Sequence, residues 1–390
     1  MTPLGRIPAS ARRLALSIAS AAALVIAVDC GLLGNAGPWE TIDRATEECE
    51  EPCHEIRSRT FTEFELAHLA RAEPGKWRVV VIGSSRAGAG YDPLTLAEGD
   101  ASFSTLHIAK AAIASLQPYA MRTLSSRLGR GDADEVVLFL SEFDTHRPVY
   151  LVPSVGFGGT DAWLDFARLT GFEFGWKHRE PMLRLAAAAL SNTYRHRDVI
   201  QTLGRNYAPR LATPAIVRDS AATPAGYQNA LAGEFPVDAI LPAAEFARVS
   251  GEIRSQLAKP VAQGPFTQIR SISWGDHVDV QKSLVTRSIR RFLANDIRVM
   301  IVEPPLHPLA ERLYDTRTRT DFRRFAHELA NDSRVQFLGL EGMAAFRAQE
   351  FSDLTHLNVT GAKRYTRRII DQLADGATRP NRPPTPAAEP

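Results

Sequence analysis

Three residue types placed near the two ends of the sequence are those that nucleophilic catalysis requires. "WRVVVIGSSRAGAG" (77–90) carries Gly83, Ser84 and Ser85 directly behind an apolar run, and "FSDLTHLN" (351–358) places Asp353 three positions before His356. A serine is a poor nucleophile until a base takes its proton, and that base must be oriented by a third group. Asp353 and His356 supply such a pair. With i, i+3 spacing in a loop or first helical turn both side chains can face one way, the carboxylate holding the far imidazole nitrogen and stabilising the imidazolium. Gly83 permits a tight turn, so that a serine behind it sits exposed at a strand tip beside backbone N–H groups and the favourable end of a helix dipole.

These residues need a scaffold that brings distant strand ends together. Continuous apolar runs recur at 77–83, 135–141, 297–305 and 335–340, with a weaker one at 103–109. Unbroken runs of this length suit buried parallel strands. Helical patterns separate them: "LQPYAMRTLSSRLG", "VQKSLVTRSIRRFLAND" and "DFRRFAHELAND", with "GAKRYTRRIIDQL" closing the series. Strands alternating with helices imply an α/β fold, a parallel sheet with helices on both faces, whose ligands lie beyond the carboxyl ends of the strands. Between about 150 and 270 the alternation lapses. "TDAWLDFARLTGF", "PMLRLAAAALSNTYRHRDVIQTL" and "LPAAEFARVSGEIRSQL" read there as a helical insertion between the third and fourth major strands, packing over the strand ends or offering a partner surface. Asn358 or Thr360 is expected to cap the last helix.

The first 75 residues differ in kind. A basic start, 1–13, contains Arg6, Arg12 and Arg13; an apolar stretch follows at 14–34, uncharged from Leu14 to Val28 and interrupted by Asp29. Two readings stand: an uncleaved signal anchor or N-terminal membrane helix, and a cleaved signal peptide that releases a secreted protein. Either keeps the arginines cytoplasmic and exports the rest. Residues 35–75 read as a juxtamembrane stalk with one helix around "FTEFELAHLARA". Cys49 and Cys53, four apart, could close a small disulfide loop outside the cytoplasm or remain thiols. The tail, 376–390, is rich in proline and alanine and expected to be disordered. A formal charge of +2 and only six lysines among 46 scattered basic residues give no pull towards nucleic acid.

"VVVIGSSRAG" and "FSDLTHLNVTGAKRY" together resemble the first and last sequence blocks of the SGNH, or GDSL-type, hydrolase superfamily. Matched residue by residue, the resemblance makes Ser85 the nucleophile, with Ser84 in place of the usual aspartate, and makes Asp353 and His356 the other triad members. "EPPLHP" (303–308) ahead of "DLTHLN" is similar to the membrane-anchored extracytoplasmic branch that includes D-alanyl-lipoteichoic-acid and alginate O-acetyltransferase-like proteins. The resemblance, spanning 76–375, implies a flavodoxin-like three-layer sandwich with a central parallel sheet. It implies acyl transfer or ester hydrolysis on a cell-envelope glycan or glycolipid, without cofactor or metal, beside a multi-spanning membrane O-acyltransferase. Two middle blocks depart from the family. Ala112 stands nearest the expected oxyanion glycine, and after the third strand "LSEFDTHRP" offers Asp144 or His146 where an asparagine is usual. Gly83 and Arg86 complete the candidate oxyanion and substrate-binding set, Arg86 suiting an anionic group.

Competing templates fit less well. "GSSRAGAG" has neither the dinucleotide glycine order nor the lysine of a Walker loop. Asp144, His146, Asp353 and His356 suit a metal by type, but their spacing matches no compact ligand motif. The alternative of another class is a catalytically weak accessory or scaffold in an envelope-polymer complex, with the insertion as its working surface.

Overall fold

The computed structural model describes residues 20, 77–91, 103–108, 118–146, 159–197, 200–201, 278–311, 316–341, 343, 345–351 and 355–377. The basic start, apolar stretch and stalk (apart from residue 20), the three cysteines, Ala112, Asp353 and the expected helix at 241–257 lie outside these residues. Five strands, β1 (Trp77–Ile82), β2 (Phe103–Ile108), β3 (Glu135–Phe139), β4 (Arg298–Val302) and β5 (Val335–Leu338), form one sheet. The order is β2-β1-β3-β4-β5 and every pairing is parallel. The helices are α1 (Ser85–Gly90), α2 (Pro118–Arg127), α3 (Glu142–His146), α4 (Thr160–Lys177), α5 (Arg179–Leu190), α6 (Asn192–Arg195), α7 (Val278–Ala294), α8 (Pro308–Glu311), α9 (Thr316–Leu329) and α10 (Val359–Ala377).

The apolar runs are continuous because the sheet is covered on both faces. Val80, Ile82, Val136, Leu138, Val299 and Ile301 enter one core, filled by Met121 and Leu124 of α2, Ile289 and Phe292 of α7 and Phe322 of α9. Their neighbours in sequence, Val79, Val81, Val137, Phe139, Met300 and Val302, enter the other, filled by Ala87 of α1 and Tyr365, Ile369 and Leu373 of α10. Stepping from β1 outward to β2 and then back across β1 to β3 puts the reversal of strand order between β1 and β3. Ligand crevices form outside the carboxyl ends at such reversals.

The helices at 160–190 do not lie over the strand ends. Ala162 and Phe166 of α4 and Met182, Leu185 and Ala188 of α5 pack on Tyr119 of α2 and Leu284 of α7, making a further layer outside the helices. Asp165 fastens this layer, accepting from Arg122 Nε at 2.7 Å and Arg287 Nη1 at 2.6 Å. The single helix expected from 181 onward is divided, because Ser191 ends α5 and turns to cap α6, accepting from the Tyr194 N–H at 3.1 Å. At the other end of the domain, α10 continues through Gly376 and Ala377, two residues into the expected tail.

Glu135 opens β3 almost wholly buried, and burial pushes its carboxyl up from 4.5 to about 7 despite Arg298, its cross-strand neighbour on β4. A raised native value means that the folded state holds the proton more tightly. This contribution is therefore full below the unfolded value and lost as pH rises through the native one. Between pH ~5 and ~8 wild type should lose about 2 kcal/mol that Glu135→Gln does not. Urea unfolding across this range checks it, and parallel pH profiles for the two proteins would remove Glu135 as the source.

Candidate functional site at the strand tips

The turn after β1 leaves no room for a side chain at its glycine. A Cβ on Gly83 would lie 2.4 Å from that of Ala87 and 2.7 Å from that of Phe139, so only glycine lets α1 start this close to β3. Ser84 is the N-cap of α1, its backbone extended and its Oγ accepting from the Arg86 N–H at 3.4 Å. Ser85 follows as the first helical residue, and its side chain lies outside the described set. Ser84 is thus buried and satisfies the helix end.

Arg86 is buried rather than presented to solvent. Its Nη1 donates to Ser141 Oγ at 2.7 Å, its Nη2 donates to the Pro304 carbonyl at 2.8 Å, and its guanidinium lies 5.1 Å from the centre of the Phe143 ring. One side chain therefore ties the tips of β1, β3 and β4. Its placement is that of a brace under the turn that follows β1.

After β3, Ser141 and Asp144 enclose the start of α3 with reciprocal side-chain and backbone hydrogen bonds, one half of a capping box. The Ser141 N–H and hydroxyl donate to Asp144 Oδ2 at 2.8 and 3.0 Å, and the Phe143 N–H donates to Ser141 Oγ at 3.2 Å. Asp144 is thus engaged at its own helix start. His146 is fully buried, its Nδ1 2.8 Å from Thr145 Oγ1 and its Nε2 3.0 Å from Asp321 Oδ2 on α9. Burial keeps this imidazole below its ordinary value, although the hydrogen bond to Asp321 works against that. Burial also opposes charge on Asp321, but the hydrogen bonds from Lys282 and His146 outweigh it and hold the carboxyl low. Thr145, His146 and Asp321 have the order of a hydroxyl–imidazole–carboxylate relay, yet Thr145 and His146 are at 0% exposure, so no substrate reaches the hydroxyl.

Two carboxylates that the sequence reading passed over lie at these tips. Glu142 is 1% exposed with Oε1 lacking a hydrogen-bond partner; burial raises its carboxyl, Arg86 pulls it down and Glu303 pushes it up again. Glu303 follows β4, receives Arg319 Nε at 3.1 Å and Arg323 Nε at 2.9 Å, and so fixes α9 to the strand end. "LSEFD" carries the signal for the first: a serine and an aspartate in capping-box spacing right behind a strand turn the intervening glutamate towards the sheet tips.

The last block begins at Phe351, which pairs with Leu357 in an antiparallel bridge and closes the loop holding 352–356. Phe351 packs edge-on to His307, ring centres 5.4 Å apart, which places the loop's base against the segment leaving β4. His356 is half-buried, its Nδ1 3.2 Å from Thr355 Oγ1. Asn358 caps α10 as expected, Oδ1 accepting from the Gly361 N–H at 3.1 Å while Nδ2 donates to the Gln349 carbonyl at 2.6 Å. A Cβ at Gly361 would lie 2.3 Å from the Glu350 carbonyl oxygen, which only glycine avoids. Asn358→Ala should cost about 1–2 kcal/mol, read as a fall in thermal midpoint. Unchanged stability would mean that backbone bonds alone hold the cap. The helix then crosses α1, Thr366 Oγ1 donating to the Gly90 carbonyl at 3.4 Å and Tyr365 OH donating to the Glu303 carbonyl at 2.6 Å.

Among the described residues, no group of three or more His, Cys, Asp or Glu is arranged to hold a metal. A family model for an uncharacterised family matches residues 268–376, less than half of the chain. That stretch contains β4, β5, the Phe351–Leu357 pair and α10 up to its last residue but one, and begins after β1, β2 and β3. No curated protein matches the chain.

Proposed function

We propose that this protein is a membrane-anchored, extracytoplasmic SGNH-like enzyme of flavodoxin-like three-layer architecture. It transfers or hydrolyses an acyl group, O-acetyl above all, on a cell-envelope glycan or glycolipid, with a multi-spanning O-acyltransferase as its membrane partner. Ser85 attacks the acyl carbonyl, His356 takes the proton at Nε2 and returns it to the leaving group, and Asp353 orients His356. Backbone N–H groups at Ser85 and near Ala112 receive the oxyanion, and water or a sugar hydroxyl resolves the acyl-serine.

One observation carries this reading: a continuous line of contacts from the serine turn to the histidine loop. Arg86, next to Ser85, bonds Pro304; His307, three residues further on, packs on Phe351, which closes the loop bearing His356. The strand order 2-1-3-4-5, shared with flavodoxin-like folds, agrees with it. The test is labelling with a fluorophosphonate and locating the adduct by mass spectrometry. An adduct on Ser85, lost in Ser85→Ala, is the expected result; an unlabelled protein sinks the activated serine. The second reading, a catalytically weak accessory or scaffold protein in an envelope-polymer complex, is favoured by the commitment of Asp144 and His146, where the family's asparagine would stand, to a helix cap and a buried pair. It predicts no adduct and equal p-nitrophenyl acetate turnover in both proteins.

A further inference from the structure

We propose that the outer face of the insertion, at the α4–α5 turn and along α5, is a docking surface for an anionic lipid membrane. Trp176, Leu183 and Leu190 are 64%, 69% and 78% exposed, the most exposed large apolar side chains of the described residues. They form one ridge. Leu183 and Leu190 are seven apart on α5 and so share a face, on which Arg179 lies one turn before Leu183. Arg179 in turn lies 5.8 Å over the Trp176 ring, joining the tryptophan to that face. The opposite face of α5 is the one already used, since Met182, Leu185 and Ala188 are buried against α2, α4 and α7.

Charge decides what covers the ridge. Residues 176–201 hold five basic side chains, Lys177, Arg179, Arg184, Arg195 and Arg197, against two acidic ones, Glu180 and Asp198. That excess of three exceeds the net +2 of the whole chain. Lys177 and Arg179 are exposed at the turn beside Trp176, and Glu180 is engaged by Arg184 at 2.6 Å. Exposed aliphatic residues, a tryptophan stacked with an arginine and a local positive excess are what an interfacial helix presents to anionic headgroups. A second copy is a poorer match: three side chains supply far less than the roughly 800 Å² per partner of a stable protein interface, and would set the same positive charge against itself. The proposal is independent of the serine chemistry, so its failure leaves that reading untouched.

The test uses the full chain with photoreactive p-benzoylphenylalanine at Leu183 or, in a second variant, at Leu190, and at Lys363 as an exposed control on α10. Each protein is irradiated with vesicles of phosphatidylcholine alone or mixed with phosphatidylglycerol, and the adduct is identified by mass spectrometry. Lipid adducts at 183 and 190, well above those at 363 and enriched by phosphatidylglycerol, are expected. Lys177→Glu with Arg179→Glu should reduce them about tenfold or more, as reversing two charges near an anionic surface would. An adduct to a second copy, an adduct to another segment of the same chain, or lipid labelling no stronger than at 363 would each overturn the proposal.

Discussion

Replacing Arg86 by methionine should cost about 3–5 kcal/mol of folding stability at neutral pH, among the largest effects of any single substitution at the strand tips. Methionine keeps much of the arginine's volume, so the loss is mainly polar. Ser141 Oγ and the Pro304 carbonyl lose their charged donor, and Glu142 loses the cation that lowers its buried carboxyl. The sign of the pH dependence separates these parts. Glu142 already has a native value above its ordinary one, so its favourable contribution is complete below the unfolded value and falls as pH rises. Without Arg86 that fall extends to higher pH, so the Arg86→Met deficit should widen towards alkaline pH. Adding Glu142→Gln should remove the widening and recover 1 kcal/mol or more, roughly the coupling seen for interacting neighbours. Urea unfolding of the four proteins of this cycle measures it. A deficit below about 1 kcal/mol, or strict additivity, would show that Arg86 is not the brace its contacts describe.

The sheet was legible in the sequence because a strand buried on both faces has to be apolar at consecutive positions, and each of the five runs became a strand. The cap at Asn358 was legible as turn chemistry, whereas Ser84 entered the sequence reading only as the stand-in for a family aspartate and its role as the cap of α1 came from the structure. What escaped was side-chain reach. Arg86 reads as a surface or substrate-binding arginine until β1, β3 and β4 are placed side by side and its guanidinium meets Ser141 and Pro304. His146 follows a strand and invites a catalytic role, yet its partner Asp321 lies 175 residues away on α9, a pairing no local pattern encodes. Glu142 and Glu303 escaped for a related reason, since a buried charge is recognisable only once the cations that compensate it are in place. Insertion helices are ambiguous in another way. Their apolar positions predict a buried face, and which layer receives that face depends on α2 and α7, brought together by the sheet.

On the proposed mechanism, Ser85→Ala and His356→Ala should each lower ester turnover by about 10³-fold or more, and the double variant should be no slower than either alone. The reason is mechanistic coupling. Without the hydroxyl there is no proton for the imidazole to take, and without the imidazole the hydroxyl stays un-ionised, so removing the second group removes nothing further. Asp353→Ala should cost less than either, because it leaves nucleophile and base in place and removes only orientation and imidazolium stabilisation. Ser84→Ala provides the internal comparison. Ser84 caps α1 through the Arg86 N–H, so its loss should reduce stability by about 1 kcal/mol while turnover per folded molecule stays within a few-fold of wild type. The contrast between neighbouring serines distinguishes chemistry from folding, since a variant that merely loosens the turn would act alike at both positions. Steady-state kinetics on wild type and the five variants, normalised to the folded fraction, reads this out. Multiplying losses at Ser85 and His356 would mean that the two act independently, and equal effects at Ser84 and Ser85 would mean that the turn, rather than a hydroxyl, is what activity requires.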